Sequence, residues 1–263
     1  MKKFEFRVGI QPDVNHSLRK AFEFARENDF DHLELLMDHP EYHFEAVSAA
    51  EILELKGIFE VDVLFHASST STNFLSISSE MRKASYRELE RTINFARKCG
   101  AELVTFHLGW NPGFITSEGF IFKKEWYSKH NYRVITDEMI PFLKTVDTSL
   151  LALENTIEMD DRTEEALKLL FSNTDINLTL DIGHSNLRGH ELFWNNFERV
   201  INIHLHDNSG DYDRHLPLGR GSVNIDRIDF STYNGFLTFE LRNEKAILES
   251  KSFFEDYLSS RYG

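Results

Sequence analysis

Short apolar runs recur along the chain, and most are followed by a longer stretch in which apolar residues return with helical spacing. Short runs rich in β-branched and aromatic residues are typical of buried strands, and the amphipathic stretches indicate crossover helices. The predicted strands are Phe6–Ile10, His32–Leu36, Val61–His66, Leu103–His107, Leu150–Glu154, Ile176–Asp181, Val200–His206 and Phe236–Leu241.

Helices are predicted between most of these strands. After the sixth strand the connection is short, around His190–Phe197, and after the seventh it is nearly all loop, with a turn near Ile225–Ile228. Eight strands with helical crossovers predict an α/β fold, a single (β/α)8 TIM barrel over residues 1–263; a doubly wound sheet is the alternative. The predicted helices are Ser17–Glu27, Phe44–Leu55, Ser78–Lys98, Arg133–Val146, Thr163–Phe171 and Glu244–Ser259.

Polar side chains interrupt the strands at regular places. Alternate residues of a strand face opposite sides of the sheet, so in a barrel one set faces the helices and the other faces the axis. In Leu151–Glu154 the two leucines suit the helix side, which places Glu154 inward at the C-terminal end of the strand. The same reasoning places inward Glu34, His66, His107, Asp181, His204, His206 and Glu240.

Seven strands therefore bring an acid or an imidazole to the end of the barrel where active sites lie. Any one of them alone would be read as an ordinary core or surface group, but burying several carboxylates without partners is costly. Shared coordination of divalent cations is the simplest arrangement that stabilises them together. His, Asp and Glu ligands without cysteine suit Zn²⁺, Mn²⁺, Co²⁺ or Fe²⁺.

Two loop segments add candidate ligands. His184 follows Asp181 where the chain leaves its strand, and Asp213 and His215 are spaced to reach one ion together. The alternative interpretation of the 206–219 segment is a solvated acidic loop.

Length, net charge and cysteine count limit the possible fold and the possible partners of the protein. The chain has 263 residues, close to the roughly 250 of one such barrel. A net charge of −14 argues against non-specific binding of nucleic acid. The single cysteine, Cys99, excludes an intrachain disulfide and fits a cytoplasmic location. Neither a signal peptide nor an apolar run of membrane-spanning length is present in the sequence, so no membrane association is expected.

Several short motifs now point to a family. The chain resembles the xylose isomerase-like (β/α)8-barrel superfamily, which includes endonuclease IV and many sugar isomerases and epimerases. The resemblance covers nearly the whole chain. It is carried by FHAS at 65–68, FHLG at 106–109, LENT at 153–156, LDIGH at 180–184, HLHD at 204–207, DRHLPLGRG at 213–221 and FEL at 239–241.

The resemblance implies two alternative ligand sets. Endonuclease IV-type enzymes hold three zinc ions, which implies here His66, His107 and Glu154 at one ion, Glu154, Asp181, His204 and Glu240 at a second, and His184, Asp213 and His215 at the third. The sugar isomerases typically use one ion, for which the implied ligands are Glu154, Asp181, His204 and Glu240. The candidate catalytic residues are Glu154, Glu240, Asp181 and His184, and the expected cofactor is zinc, up to three ions, or manganese.

Some positions depart from the endonuclease IV pattern. Glu34 resembles the isomerase branch, the ASSTSTNF segment after His66 has no Tyr-Leu wedge, and Arg220 replaces the usual Glu of the LGEG segment. The crossover after the seventh strand is also short. These departures argue against binding of duplex DNA, although not against the ion site.

The complete nine-residue set favours metal-dependent hydrolysis of a phosphate ester, and the resemblance implies an abasic-site phosphodiester in DNA as the substrate. The alternative is isomerisation or epimerisation of a small sugar or sugar phosphate, with Glu154 and Glu240 moving the proton. A barrel that binds a ligand without chemistry is the third class. The sequence gives no indication of oligomeric state.

The connection from Trp110 to Tyr132 is long for a loop of this kind and rich in aromatic residues. It is expected either to cover the site and stack on a ring of the substrate, or to form a satellite core or a dimer contact. His206 is expected to support an ion ligand without binding the ion itself. The candidate substrate-binding residues are Glu34, Trp110, Lys123, Arg214 and Arg220.

Overall fold

The computed structural model describes residues 4–155 and 159–263, so Thr156 of the 153–156 motif lies outside the described residues. Within them, eight parallel strands close into a barrel and two further strands form an antiparallel hairpin. The strands are β1 (Arg7–Ile10), β2 (His32–Leu36), β3 (Asp62–His66), β4 (Val104–Phe106), the hairpin β5 (Phe114–Thr116) and β6 (Gly119–Ile121), β7 (Leu151–Glu154), β8 (Asn177–Asp181), β9 (Val200–Leu205) and β10 (Phe236–Phe239).

The order around the barrel is β1, β2, β3, β4, β7, β8, β9 and β10, which then pairs with β1. Helices cover the outside of this barrel. They are α1 (Leu18–Glu27), α2 (Ala49–Phe59), α3 (Ser79–Lys98), α4 (Ser128–Val134), a π-helical segment (Ile135–Met139), α5 (Ile140–Leu143), α6 (Asp161–Asn173), α7 (Ile182–Arg188), α8 (Glu191–Trp194) and α9 (Glu244–Tyr262). The closed barrel confirms the predicted (β/α)8 fold and excludes the doubly wound alternative.

Helix ends differ from the predictions where a capping residue decides them. The second helix begins at Ala49 and not at Phe44, because the Ser48 side chain accepts a hydrogen bond from the Glu51 amide. The helix predicted from Arg133 begins earlier, at Ser128, and passes through the π-helical segment before α5. The 110–132 connection is not a structureless loop, because it contains the β5–β6 hairpin.

The barrel interior is graded from apolar to polar along its axis. A small apolar cluster of Leu64, Leu103, Ala152 and Phe236 lies toward the N-terminal ends of the strands. Next comes a layer of buried polar side chains, and beyond it the acids and histidines of the strand ends. The polar layer is joined by hydrogen bonds between Thr105 and Thr179 (2.9 Å), His32 and Thr238 (2.9 Å), and Thr238 and Asn202 (3.0 Å).

One buried carboxylate organises the loop that follows β9. Asp207 accepts hydrogen bonds from the backbone amides of Gly219, Gly221 and Val223, at 2.9–3.0 Å. Asp207 also pairs through its own backbone with Leu216. These contacts hold the 208–223 loop over the barrel mouth although the loop has little regular structure.

Within the described residues, no helix is both long and apolar enough to cross a membrane.

Gly9 allows close packing inside the barrel. A Cβ atom at Gly9 would lie 2.3 Å from both the His32 ring and the His32 carbonyl oxygen. We therefore expect Gly9→Ala to lower the free energy of unfolding by about 1–3 kcal/mol, measured by urea denaturation. Gly57→Ala is the matched control: the added methyl meets no atom of the described residues within 4 Å and should stabilise helix α2 by about 0.5–1 kcal/mol. Similar effects of the two substitutions would contradict this account.

Candidate metal centre

Four strand ends bring one compact ligand group together. Glu154 ends β7, Asp181 ends β8, His204 lies near the end of β9 and Glu240 follows β10. One ligand atom from each lies within 4.8 Å of all the others, and all four residues are buried. Because the C-terminal ends of parallel barrel strands converge, residues distant in sequence share one site. We name Glu154, Asp181, His204 and Glu240 the inner group.

A second group shares Glu154 with the inner group. His66 at the end of β3 and His107 after β4 both approach the Glu154 Oε2 atom through their Nε2 atoms, at 3.1 Å and 2.9 Å. The ligand atoms of the three residues again lie within 4.8 Å of one another. Glu154 is thus placed where a carboxylate could bridge two ions.

The third predicted set lies on the loop side of the inner group. His184 Nε2 and His215 Nε2 approach Asp213 Oδ2 at 3.4 Å and 3.2 Å. His206 also enters this region, since its ring stacks on His215 at a centroid distance of 4.0 Å. The compact ligand groups here are His206 with Asp213 and His215, and His206 with Asp181 and His184.

Backbone carbonyls set the tautomer of three histidines. The Nδ1–H of His66 donates to the Ala67 carbonyl (2.8 Å), that of His184 to the Asn155 carbonyl (2.9 Å) and that of His215 to the Glu240 carbonyl (2.9 Å). A carbonyl only accepts, so in each ring the Nε2 atom is left for an ion. Such outer hydrogen bonds are the usual support of metal-binding histidines.

Asp181 joins β8 to helix α7. Its Oδ1 atom accepts a hydrogen bond from the His184 amide (2.7 Å), which caps the helix, and its carboxylate also lies 3.0 Å from His206 Nε2. The Asn155 side chain bonds both the amide and the carbonyl of Asp181. The helix cap therefore fixes Asp181 and His184 relative to each other.

The site contains polar atoms that lack hydrogen bonds within the described part of the chain. His204 Nδ1 and Glu240 Oε2 approach to 2.8 Å without hydrogen-bond geometry. Buried polar atoms are rarely left without partners, and unsatisfied ones cost free energy. The unsatisfied atoms of the site are Glu154 Oε1, His204 Nδ1, His206 Nδ1, Asp213 Oδ1 and Glu240 Oε2. Convergent donors of this kind fit a divalent ion.

Without an ion, the charges of the site balance through protonated histidines. Burial favours the neutral form of Glu154, but the His107 and His204 imidazoles hold the pKa of Glu154 well below its usual value. Burial likewise opposes protonation of His66 and His215. Nevertheless, Glu154 raises the pKa of His66 to about 9, and Asp213 raises the pKa of His215 to about 9.

The residues predicted to bind substrate lie in different places. Trp110, 55% exposed, lines a cavity next to His107 and His184. Lys123 lies over the Trp126 ring and lines a separate cavity. Arg214 pairs with Asp211, and Arg220 pairs with Glu249 of α9.

Glu34 differs from its expected role. It is fully buried, and its carboxylate contacts Asn202 and His204 on the side of the inner group that faces the barrel interior. Because its carboxylate faces Asn202 and His204 and Glu34 does not line the cavity beside His107, it is placed to hold an ion ligand and not to contact a substrate.

The predicted supporting role of His206 stays a prediction, and sequence reasoning did not single out Gln11. His206 belongs to two of the compact ligand groups. Gln11 follows β1 and is fully buried, and its amide atoms make no hydrogen bond within the described residues. Its strand pairing with β10 brings it level with Glu240. The signal that could have found it is the polar residue that ends the apolar strand β1.

Comparisons with known proteins agree with the barrel fold. The family model described as "Xylose isomerase-like TIM barrel" matches residues 22–257. An uncharacterised protein of Methanocaldococcus jannaschii, MJ1311, is 24% identical over 97% of this chain and 89% of its own length.

Two solved structures share the fold. A D-tagatose 3-epimerase-like protein has a TM-score of 0.76 and 23% identity, over 97% of each chain. Endonuclease IV from Thermus thermophilus has a TM-score of 0.66 and 19% identity, over 97% of this chain and 99% of that one.

The raised histidine pKa values predict how the ion-free protein responds to pH. Protonated His66 and His215 stabilise the fold fully below their unfolded pKa near 6.5, and this stability is lost as pH rises toward 9. We therefore expect chelator-treated protein to become less stable to urea between pH 6.5 and 9. Protein saturated with Zn²⁺ should lose less, because its ligands are already deprotonated.

The affinity for Zn²⁺ should increase with pH, whereas the stability of the ion-free protein should decrease. Binding must displace the protons of His66 and His215, so we expect the apparent affinity to increase over the same pH range, with proton release. Calorimetric titration in two buffers of different ionisation enthalpy measures the protons released. His215→Gln should release fewer. An affinity independent of pH would contradict the protonated ion-free state.

Proposed function

The chain belongs to the xylose isomerase-like TIM barrel family, and from this premise we propose that it is a divalent-metal-dependent isomerase or epimerase of a small, uncharged sugar. The observation that carries the proposal is the cavity beside the metal centre. It has a volume of about 410 Å³ and reaches His107, His184 and Asp213.

The lining of this cavity suits a polyhydroxylated ring or chain. Trp110, Phe120 and Phe122 provide aromatic faces, and Asn111 and Asn131, whose amide groups hydrogen-bond each other, provide a polar wall. Aromatic faces pack against the C–H surface of a sugar, while amides both donate to and accept from hydroxyl groups. A cavity of this size is of the kind that encloses a small molecule.

Charge argues against a phosphorylated or polymeric substrate. None of the described residues that line the cavity is Lys or Arg. Of the three expected cations, Arg214 is paired with Asp211, Arg220 is paired with Glu249, and Lys123 lies over the Trp126 ring and lines a separate cavity. Proteins that bind phosphates generally contact them with Arg, Lys or helix N-termini. In a chain of net charge −14, the cavity favours a neutral ligand.

The inner group would hold the ion, with zinc or manganese suited to its donors. A divalent ion bound there supplies Lewis-acid polarisation of the substrate's carbonyl and adjacent hydroxyl oxygens. Glu154 or Glu240 would then remove the proton from the hydroxyl-bearing carbon next to the carbonyl, and the electron pair of that C–H bond would move toward the carbonyl oxygen to give an enediolate. Return of a proton from the other glutamate to the opposite face of that carbon would give the epimer. Return of the proton to the former carbonyl carbon, with transfer of the hydroxyl proton to the former carbonyl oxygen, would give the isomer.

The β5–β6 hairpin contributes to the wall of the cavity. Phe120 of β6 and the following Phe122 line it, and Phe120 is 69% exposed. We propose that these aromatic side chains pack on the sugar and limit the access of water to the enediolate.

Proton transfer to carbon gives a direct test. We expect the protein loaded with Zn²⁺ or Mn²⁺ to exchange deuterium from D₂O into D-tagatose, D-fructose or L-ribulose and to form the corresponding epimer or isomer. Glu154→Gln and Glu240→Gln should each reduce the exchange rate by about 10²-fold or more. NMR measures the exchange, and chromatography measures the products.

Glu255→Gln is the control, since Glu255 is an exposed acid of α9 that pairs with Lys251. It should leave exchange unchanged. If metal-loaded protein exchanges no C–H proton in any of these ketoses, or if both glutamine variants at Glu154 and Glu240 retain full activity, the proposal fails.

A second candidate function is hydrolysis of a phosphodiester at an abasic site in DNA. The observation that favours it is that His184 and His215 both approach Asp213, at 3.4 Å and 3.2 Å, beside the other two groups. Clustered ions can generate a hydroxide nucleophile and stabilise both the attacking and the leaving oxygen. The absence of cations among the described lining residues places it second.

A labelled duplex with one abasic site tests this second candidate. Metal-dependent incision that His215→Ala abolishes would support hydrolysis, and would require more than one ion per chain. No incision by protein of confirmed metal content, or a stoichiometry of one ion per chain, would contradict it.

A further inference from the structure

We propose that Glu34 is a positioning residue that selects the tautomer of His204 and thereby sets the affinity of the inner group for its ion. The inference rests on the ion site of the proposed function and does not depend on the substrate.

His204 is oriented differently from the other histidines of the site. His66, His184 and His215 donate Nδ1–H to backbone carbonyls and leave Nε2 toward the ion site. In His204, by contrast, the Nε2 atom faces away from the ion site, toward the barrel interior. It lies 3.0 Å and 3.2 Å from the two carboxylate oxygens of Glu34.

This contact fixes which nitrogen of His204 can bind an ion. If Nε2–H donates to Glu34, Nδ1 carries the free lone pair in the neutral ring. Nδ1 is the atom that faces the inner group, 2.8 Å from Glu240 Oε2 and 3.5 Å from Glu154 Oε2. The opposite tautomer would point a hydrogen at the ion position.

Hydrogen bonds from the polar layer of the barrel interior hold Glu34 in place. Asn202 donates to Glu34 Oε2 at 3.1 Å and accepts from the Thr238 hydroxyl at 3.0 Å. Thr238 in turn contacts His32 Nε2 at 2.9 Å. The chain of contacts crosses from β2 to β9 and β10, so the carboxylate cannot turn away from His204 without breaking buried hydrogen bonds.

Packing alone does not account for an acid here. Glu34 and His204 both have 0% exposed surface, and a buried carboxylate is costly unless nearby positive charge offsets it. An ion on the far side of the His204 ring supplies that charge, and the carboxylate makes the imidazole a stronger electron donor toward the ion. A neutral backbone carbonyl, which is the partner of the other three histidines, would increase the electron donation of the imidazole less than a carboxylate does.

The test is ion affinity, measured on folded protein. In competition titrations with a chromophoric chelator, Glu34→Gln should weaken one class of Zn²⁺ sites by about 10-fold, and Glu34→Ala by about 100-fold. Co²⁺ bound at the inner group should show a changed visible absorption spectrum in Glu34→Gln. Ligand sites that do not include His204 should keep their affinity within about 3-fold.

Glu138→Gln is the matched control, because Glu138 is a partly buried acid that pairs with Arg82 away from the site. It should lower thermal stability without changing ion affinity. Asn202→Ala provides a second variant should the Glu34 variants not fold. It leaves Glu34 in place without its orienting donor, and should weaken the same class of sites by a smaller factor.

A Glu34→Gln or Asn202→Ala protein that is folded, is less stable, and binds Zn²⁺ and Co²⁺ as the native chain does would overturn the proposal, since Glu34 would then only support the fold. Failure of the sugar-exchange test leaves these ion measurements unaffected, so the two proposals fail independently.

Discussion

The structure depends on keeping four buried carboxylates, Glu34, Glu154, Asp181 and Glu240, and the partly exposed Asp213 close together in the C-terminal part of the barrel. Like charges at this separation repel strongly in a medium of low polarisability. The chain offsets them with imidazoles, four of which have raised pKa values. Divalent ions would replace those protons, so the same arrangement that limits the stability of the ion-free protein prepares it to bind metal.

The barrel separates apolar, polar and charged side chains along its axis. A small apolar cluster and a layer of hydrogen-bonded Thr, Asn and His side chains fill the interior, so most of the charged groups lie at the C-terminal ends of the strands and Glu34 of β2 lies just behind them. The loops are then fixed by single buried acids, with Asp207 holding the 208–223 segment and Asp181 capping helix α7. The ligands consequently come from rigid positions although several lie outside strands.

The number of ion ligands and the character of the cavity favour different chemistry. The nine-residue set, taken from the sequence, favours hydrolysis by several ions. The cavity has aromatic and amide walls, and no cation among the described residues lines it, which favours a neutral sugar. We give the cavity more weight, because ligand residues only enable metal chemistry, whereas the walls of a site select the substrate.

The sequence by itself determined the barrel and the inward set of acids and histidines, since the alternation of apolar residues in a strand decides which side chains face the axis. The periodicity of apolar residues did not predict the exact ends of the helices or the structure within 110–132. Local hydrogen bonds decided both, since the Ser48 side chain caps α2 at Ala49 and backbone pairing forms the β5–β6 hairpin. Only the tertiary structure showed that Glu34 lies behind His204, that His206 stacks on His215, and that Arg220 is turned to Glu249. These facts depend on contacts between strands and loops far apart in sequence, which no pattern along one strand contains.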